Sequence, residues 1–335
     1  MKSDKTTPNV PTLRFPNYNG EWQKTVMGKV CSFRKGYGIA KDDLSRGGTP
    51  CILYGELYTT YKTAIAKTIK SKTSIQSKSL VYSQKDDVII PCSGETAEDI
   101  ATSICVPYDG VLLGGDLTIV HSDLDGAFLS NQINSVRKFD IARIAQGKSI
   151  VHLQADELKK IFIFYPSIQE QRKISAFIDK IDERIEIQNK IISKYETLIK
   201  GLCDMIFPSI EGSILPLKAI VSIEKGQQIN GMSLAKTGKY YYLNGGIAPS
   251  GYIDDYNTSE ETISISEGGN SCGFVSYNLQ KFWSGGHCYT LKIMAEQCRS
   301  KYLFFYLKYK EKDIMQLRVG SGLPNIQKKS LENFN

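Results

Sequence analysis

The sequence predicts a mixed α+β architecture, with two similar α/β domains joined by a long coiled-coil helix. Three observations predict it. A heptad pattern fills the interval between Pro166 and Pro208, and the residues on its two sides align with one another in blocks. Both flanks also alternate short apolar runs with Gly, Asn or Ser punctuation and longer helical stretches.

The helix declares itself first. Ser167 and Glu170 form an S-x-x-E capping box, which predicts a start at Ile168. One stripe then runs Ile174, Ile181, Gln188, Tyr195 and Leu202, and a second runs Ile178, Ile185, Ile192, Ile199 and Ile206. A seam sustained over this length, with a single polar interruption, argues for a coiled coil. Gln188 either fixes the register or is merely tolerated there. The positions between carry both signs of charge (Asp179, Lys180, Glu183, Arg184, Lys190) and read as solvent-facing. Such a helix would be about 60 Å long at about 1.5 Å per residue. Its apolar stripes need a partner helix, and no second heptad segment occurs in the sequence. The expected partner is therefore a second copy of this chain, another spacer helix, or a continuation past Asn335.

The repeat comes next. MGKVCSFRKG (27–36) matches LKAIVSIEKG (217–226) at an offset of 190 residues, and the same offset pairs 52–55 with 242–245. GKSIVHLQADELKKI (147–161) matches GSGLPNIQKKSLENF (320–334) at an offset of 173. The first copy's end block runs straight into the helix. By the logic of the repeat, a second helix is expected after Asn335. The predicted organisation is a first domain over 1–165, a spacer helix over 166–207 and a second domain over 208–335. Strands are predicted at 88–91, 117–120, 240–243, 262–265 and 288–293, and helices at 128–145 and 300–316.

Composition limits the function classes. The 335 residues carry a net charge of +7, with 41% hydrophobic and 23% charged residues, a globular composition. No apolar run approaches the roughly 20 residues of a membrane span, and the polar N-terminus has no secretory h-region. The eight cysteines lack C-x-x-C spacing and the three histidines are far apart, which argues for reduced thiols in a cytoplasmic protein and against zinc. The positive excess lies in the flanks and not in the helix. Residues 57–85 hold six lysines (62, 67, 70, 72, 78 and 85) and no acid, as a phosphate-tracking surface needs.

Domain, long helix opened by P-S-I-x-E-Q-R-K-I (166–174) and second domain together resemble the specificity subunits of type I restriction–modification systems. VPTLRFPNYNGEWQK (10–24) is similar to the start of many members. GETAEDIA (94–101), GGIAPSGYIDDYN (245–257), SEGGNSCGFV (266–275) and KFWSGGHCYTL (281–291) are similar to stretches of family target-recognition domains. The resemblance implies a non-catalytic reader of double-stranded DNA. Each target-recognition domain would read one half of a split site, and the helices would set the gap. The helices would also dock methyltransferase subunits and then a restriction/motor subunit. Adenine would be methylated at N6 by S-adenosylmethionine held in the partner, with no cofactor bound by this chain. The sequence departs from the family in lacking a distal helix, which bears on docking of the second methyltransferase subunit.

Candidate DNA contacts are polar residues on loops beside repeated glycines. In the first domain they are Arg34, Lys35, Tyr37, Lys41, Tyr58, Thr59, Lys62, Ser93, Glu95 and Thr96. In the second they are Lys225, Gln227, Gln228, Asn230, Asn244, Asn270, Ser271 and Lys281. Gly36, Gly226, Gly245 and Gly269 are expected in turns with positive φ. Phe282 and Trp283 are expected in the core, and His287 in a structural role. There is no N-P-P-[FY] tetrapeptide, no methyl-donor F-x-G-x-G loop, no P-loop and no G-x-S-x-G elbow. The rival readings are a coiled-coil scaffold that binds partners without reading DNA and a fused methyltransferase.

Overall fold

The computed structural model describes residues 11–77, 79–147, 150–231 and 234–335. Val10, Lys78 of the lysine run and Lys148–Ser149 of the repeat's end block lie outside them. The chain divides into two units between Asn189 and Lys190.

In the first unit, the four-stranded antiparallel sheet has the order Cys31–Lys35, Leu117–Ser122, Asp87–Pro91, Ile104–Val106. The two middle strands, DVIIP and LTIVHS, are almost wholly buried. Continuous apolar runs of this kind belong at the centre of a sheet covered on both faces. A smaller sheet has the order Ser71–Thr73, Leu44–Ile52, Leu112–Leu113, and its last pair is parallel. Gln23–Val26 pairs with Phe162–Tyr165, bringing the start of the unit to the residues that lead into the long helix. Ile90, Val120, Leu129, Ile141 and Leu158 share one core cluster, and Ile52, Ile89, Ile104 and Leu117 share another.

The second unit repeats this plan. Its four-stranded sheet has the order Val221–Lys225, Cys288–Ile293, Thr262–Ser266, Val275–Asn278. Its three-stranded sheet has the order Gly251–Ile253, Tyr240–Leu243, Trp283–Ser284, again with a parallel last pair. Two helices follow in each unit, Gly126–Asn134 and Lys138–Ile144 in the first, Ser300–Tyr309 and Glu311–Gln316 in the second. The helices predicted at 128–145 and 300–316 are thus each broken in two. The duplication extends to single hydrogen bonds. Gln146 and His152 exchange backbone bonds around Gly147, and Val319 and Asn325 do the same around Gly320, with both glycines at positive φ.

Gly36 and Gly226 depart from expectation, because their φ is not positive. A Cβ on Gly36 would lie 2.0 Å from the Gly114 carbonyl oxygen, and one on Gly226 would lie 2.3 Å from that of Gly285. Both are glycine because another backbone passes there. Gly245 and Gly269 do have positive φ, at 79° and 75°.

The long helix spans Ile168–Ile206. The Ser167 hydroxyl accepts a 3.4 Å bond from the Glu170 amide. The Glu170 carboxylate does not close the box; it receives both Arg14 Nε and Nη2 at 2.7 Å. The helix's first turns are thereby clamped by the opening segment, where Phe15 also meets Phe177 edge to face at 5.7 Å. Lys67 adds ion pairs to Asp179 and Glu183. Beyond this the apolar stripes are bare, with Ile181, Ile185, Ile192, Tyr195, Ile199, Leu202 and Ile206 all exposed and Ile174 and Ile178 half-buried. The bare face is wider than two stripes, since Ile191, Leu198 and Met205 form a third at seven-residue spacing. Three apolar positions in seven suit a helix that packs in a bundle.

Candidate nucleic-acid interface

Most of the candidate contacts sort into three groups according to what holds them. One group collects where the first strand of each four-stranded sheet ends. Lys225 closes Val221–Lys225, and its Nζ lies 2.6 Å from Glu267 Oε1. Glu267 follows Thr262–Ser266 directly, is 9% exposed, and takes a second bond from Tyr289 Oη at 3.0 Å. That carboxylate pushes the Tyr289 hydroxyl far up, second to the effect of burial. His287 lies over it with Nδ1 3.5 Å from Oε2, on a side chain 64% exposed. The His287 amide donates to Asn244 Oδ1 at 3.0 Å. The Trp283 indole N–H donates to the Gln227 carbonyl at 2.8 Å, and Gln228 lies beside Gly286. Lys225, Gln227, Gln228 and Asn244 therefore converge on the loop 284–287.

The first unit builds the same place with other side chains. Lys35 closes Cys31–Lys35, and Cys92 follows Asp87–Pro91. The Cys92 amide donates to the Asp116 carbonyl at 2.7 Å, as the Glu267 amide donates to that of His287 at 2.9 Å. Cys92 Sγ lies 3.1 Å from Thr118 Oγ1, where the second unit joins Glu267 to Tyr289. Burial pushes the Cys92 thiol up; Asp116 adds to this, while Thr118 and Lys35 oppose it. Asp116 is exposed, at φ +56°.

A second group lines a polar cavity of about 460 Å³ in the first unit. Tyr58 and Lys62 share it with Glu98, Asp99, Asn131 and Asp182. Acidic lining makes it a poor seat for phosphate, and it lies against the long helix.

The third group is tied to the protein itself. Arg34 Nη2 holds the fully buried Asp87 at 2.7 Å, and His121 Nδ1 takes the other carboxylate oxygen at 2.8 Å. Thr96 caps Ala97–Ile100 by accepting from the Asp99 amide. Thr59 donates to the Gly55 carbonyl. Ser93 is buried against His152. Lys281 lies over the Tyr256 ring at 4.7 Å. Outside these three groups, Tyr37, Glu95, Asn230 and Asn270 are exposed on loops, Lys41 is exposed at the start of the 3-10 turn Lys41–Asp43, and Ser271 is half-buried. Of the six lysines in the run, Lys62, Lys70, Lys72 and Lys85 are exposed, while Lys67 is drawn into the helix ion pairs.

Sequence reasoning did not place Cys92, Asp116, Glu267 or Tyr289 among the candidate residues, and it gave His287 a structural role. The signal was present. Aligning 112–122 with 283–293 at an offset of 171 superposes Asp116 on His287 and Thr118 on Tyr289. As expected, Phe282 is fully buried; Trp283 is half-buried, with its indole hydrogen-bonded.

The comparisons with known proteins bear on this duplicated arrangement. The model of the type I restriction modification DNA specificity domain matches residues 19–197 and again 214–335. The chain belongs to that family. Two matched segments correspond to the two halves of the repeat. A Mycoplasma pneumoniae protein named as a type I specificity subunit is 34% identical over 119 residues, which is 35% of this chain and 32% of that protein. A counterpart from Mycoplasma genitalium is 31% identical over 119 residues, 35% of this chain and 31% of that one. These matches thus span about a third of the length of the curated relatives. The crystal structure of a type I restriction–modification S subunit from M. genitalium shares the fold, with a TM-score of 0.71 and 19% identity over 98% of this chain and 86% of that one. Among the described residues, no helix is long and apolar enough to cross a membrane.

Proposed function

We propose that this member of the specificity family is the DNA-reading subunit of a type I restriction–modification complex in the cytoplasm. Each unit reads one half of a bipartite site in double-stranded DNA. The long helix is the spacer, and its bare apolar face receives a partner helix, together with methyltransferase (modification) subunits and the restriction/motor subunit. S-adenosylmethionine belongs to the methyltransferase partner, and this chain contributes position and sequence choice.

The observation that carries the reading is the duplicated rim. Both units end the same edge strand with an exposed lysine, Lys35 and Lys225, beside a glycine-framed loop that presents polar side chains. Lysines set position on phosphates, while carboxylate, imidazole and amide groups can meet base edges. Two such rims in one chain suit a split site better than a symmetric one.

A salt titration of the assembled complex on duplex DNA tests this against the scaffold reading. Log affinity falls linearly with log salt, by about 0.9 per phosphate contact, if the lysines neutralise phosphates. An affinity indifferent to salt would favour a scaffold without DNA reading. Replacing the second unit with that of a relative should change one half of the recognised sequence only; an unchanged sequence would refute the two-reader model.

A further inference from the structure

The two rims share a backbone and differ in their side chains. Backbone bonds from Cys92 to Asp116 and from Glu267 to His287 are equivalent, as are those from Gly36 to Leu117 and from Gly226 to Cys288. Gly36 and Gly226 are each fixed by a carbonyl that leaves no room for a Cβ. The lysine is kept at 35 and 225. What varies is the exposed group at the tip, Asp116 or His287, and the group beneath it, Cys92 or Glu267.

We propose that positions 116 and 287 are specificity-determining, and that the difference between them makes the two halves of the DNA site different. The inference rests on the DNA-reading function proposed above and names where in each unit the choice is made. The chemistry follows from hydrogen-bonding class. An ionised carboxylate only accepts, so Asp116 suits a base edge bearing an exocyclic amine, cytosine N4 or adenine N6. An imidazole always carries at least one N–H, so His287 can donate to an acceptor edge. In the second unit a carboxylate is present, but Glu267 lies beneath the tip, with Oε1 occupied by Lys225 and Tyr289. Its Oε2 is buried without a hydrogen bond and faces His287. Glu267 thus holds Lys225 and Tyr289 beneath the tip and leaves the exposed His287 ring above it.

The test is a reciprocal exchange, Asp116→His and His287→Asp. Both side chains are exposed, and φ +56° at residue 116 is a conformation that His and Asn tolerate better than most residues. Asp116→Asn and His287→Asn serve as second variants should either exchange disturb folding. Each chain, in complex with the type I modification subunit of its own genome, is used to enrich bound duplexes from a random-sequence pool. The preferred bases are then read position by position. Asp116→His is expected to lose an amine-bearing base preference at one position of the first half-site, by about fivefold or more. His287→Asp is expected to change one position of the second half-site by a similar factor, leaving the gap and the other half unchanged. Wild-type preferences retained in both variants overturn the proposal. So does a uniform loss of affinity with the preferred sequence intact, which would mark phosphate contacts. A wild-type complex with no sequence preference would refute DNA reading itself and this inference with it.

Discussion

At the residue scale, the fold rests on places where only one side chain fits. Gly226→Ala would put a Cβ 2.3 Å from the Gly285 carbonyl oxygen. It should cost on the order of 2 kcal/mol by urea unfolding, whereas Gly231→Ala, with nothing within 4 Å, should cost little. Sequence reasoning found both Gly36 and Gly226 but assigned them to turns, because the approach of a distant backbone leaves no mark on the local sequence. Burial of the thiols gives a pH prediction. Cys51 and Cys288 are each pushed up from 9.0 to about 11. Folding favours the protonated thiol, so the contribution to stability is complete below pH 9 and is lost as pH rises through about 11. Native protein at pH 8 should resist alkylation at these two sites until it is unfolded; rapid labelling of the folded chain would contradict this.

At the element scale, the long helix was legible almost to the residue, because period, cap and stop all agree. Its clamp was not. Glu170 was read as the reciprocal half of a capping box, but its carboxylate is taken by Arg14, far away in the sequence. Arg14→Ala should release the opening segment, seen as faster proteolytic cleavage within residues 11–22; an unchanged cleavage rate would argue that Phe15 on Phe177 suffices. The helices read at 128–145 and 300–316 are each broken because apolar periodicity runs on across a short break that it does not sense. Lys310 leaves helical geometry at ψ 8°, and the new helix sets the Glu311 carboxylate on the Val275 amide at 2.8 Å. The bare stripes lead to a sharper expectation. The isolated chain should self-associate in light scattering, and the pair Ile185→Asp with Ile192→Asp should make it a monomer. Thermal unfolding of the two units should stay within about 0.5 kcal/mol of wild type, as for exposed positions. A monodisperse wild-type monomer would contradict the reading of the seam.

At the scale of the whole molecule, the sequence alignment of the flanks proved to be a duplication of topology, with the same strand order and the same parallel pairing in each unit. The fold was readable because the repeated blocks fall on strands and, in 147–161 and 320–334, on the short helices Ala155–Leu158 and Lys328–Glu332. Which of the candidate contacts the fold would bring together was readable only in part. Lys225, Gln227, Gln228 and Asn244 do gather at one rim, but Arg34, Thr59, Ser93 and Thr96 are held by intramolecular bonds that no spacing rule reveals. Polar loop residues look alike in sequence whether they face a ligand or cap a helix. The proposal that two readers in one chain choose a bipartite DNA site is checked by co-expressing the chain with the methyltransferase subunit of its own genome in a methylation-free host and mapping the modified adenines. An asymmetric two-part motif with a fixed gap is expected. A symmetric motif, a single half-site, or no methylation from a soluble, intact complex would contradict it.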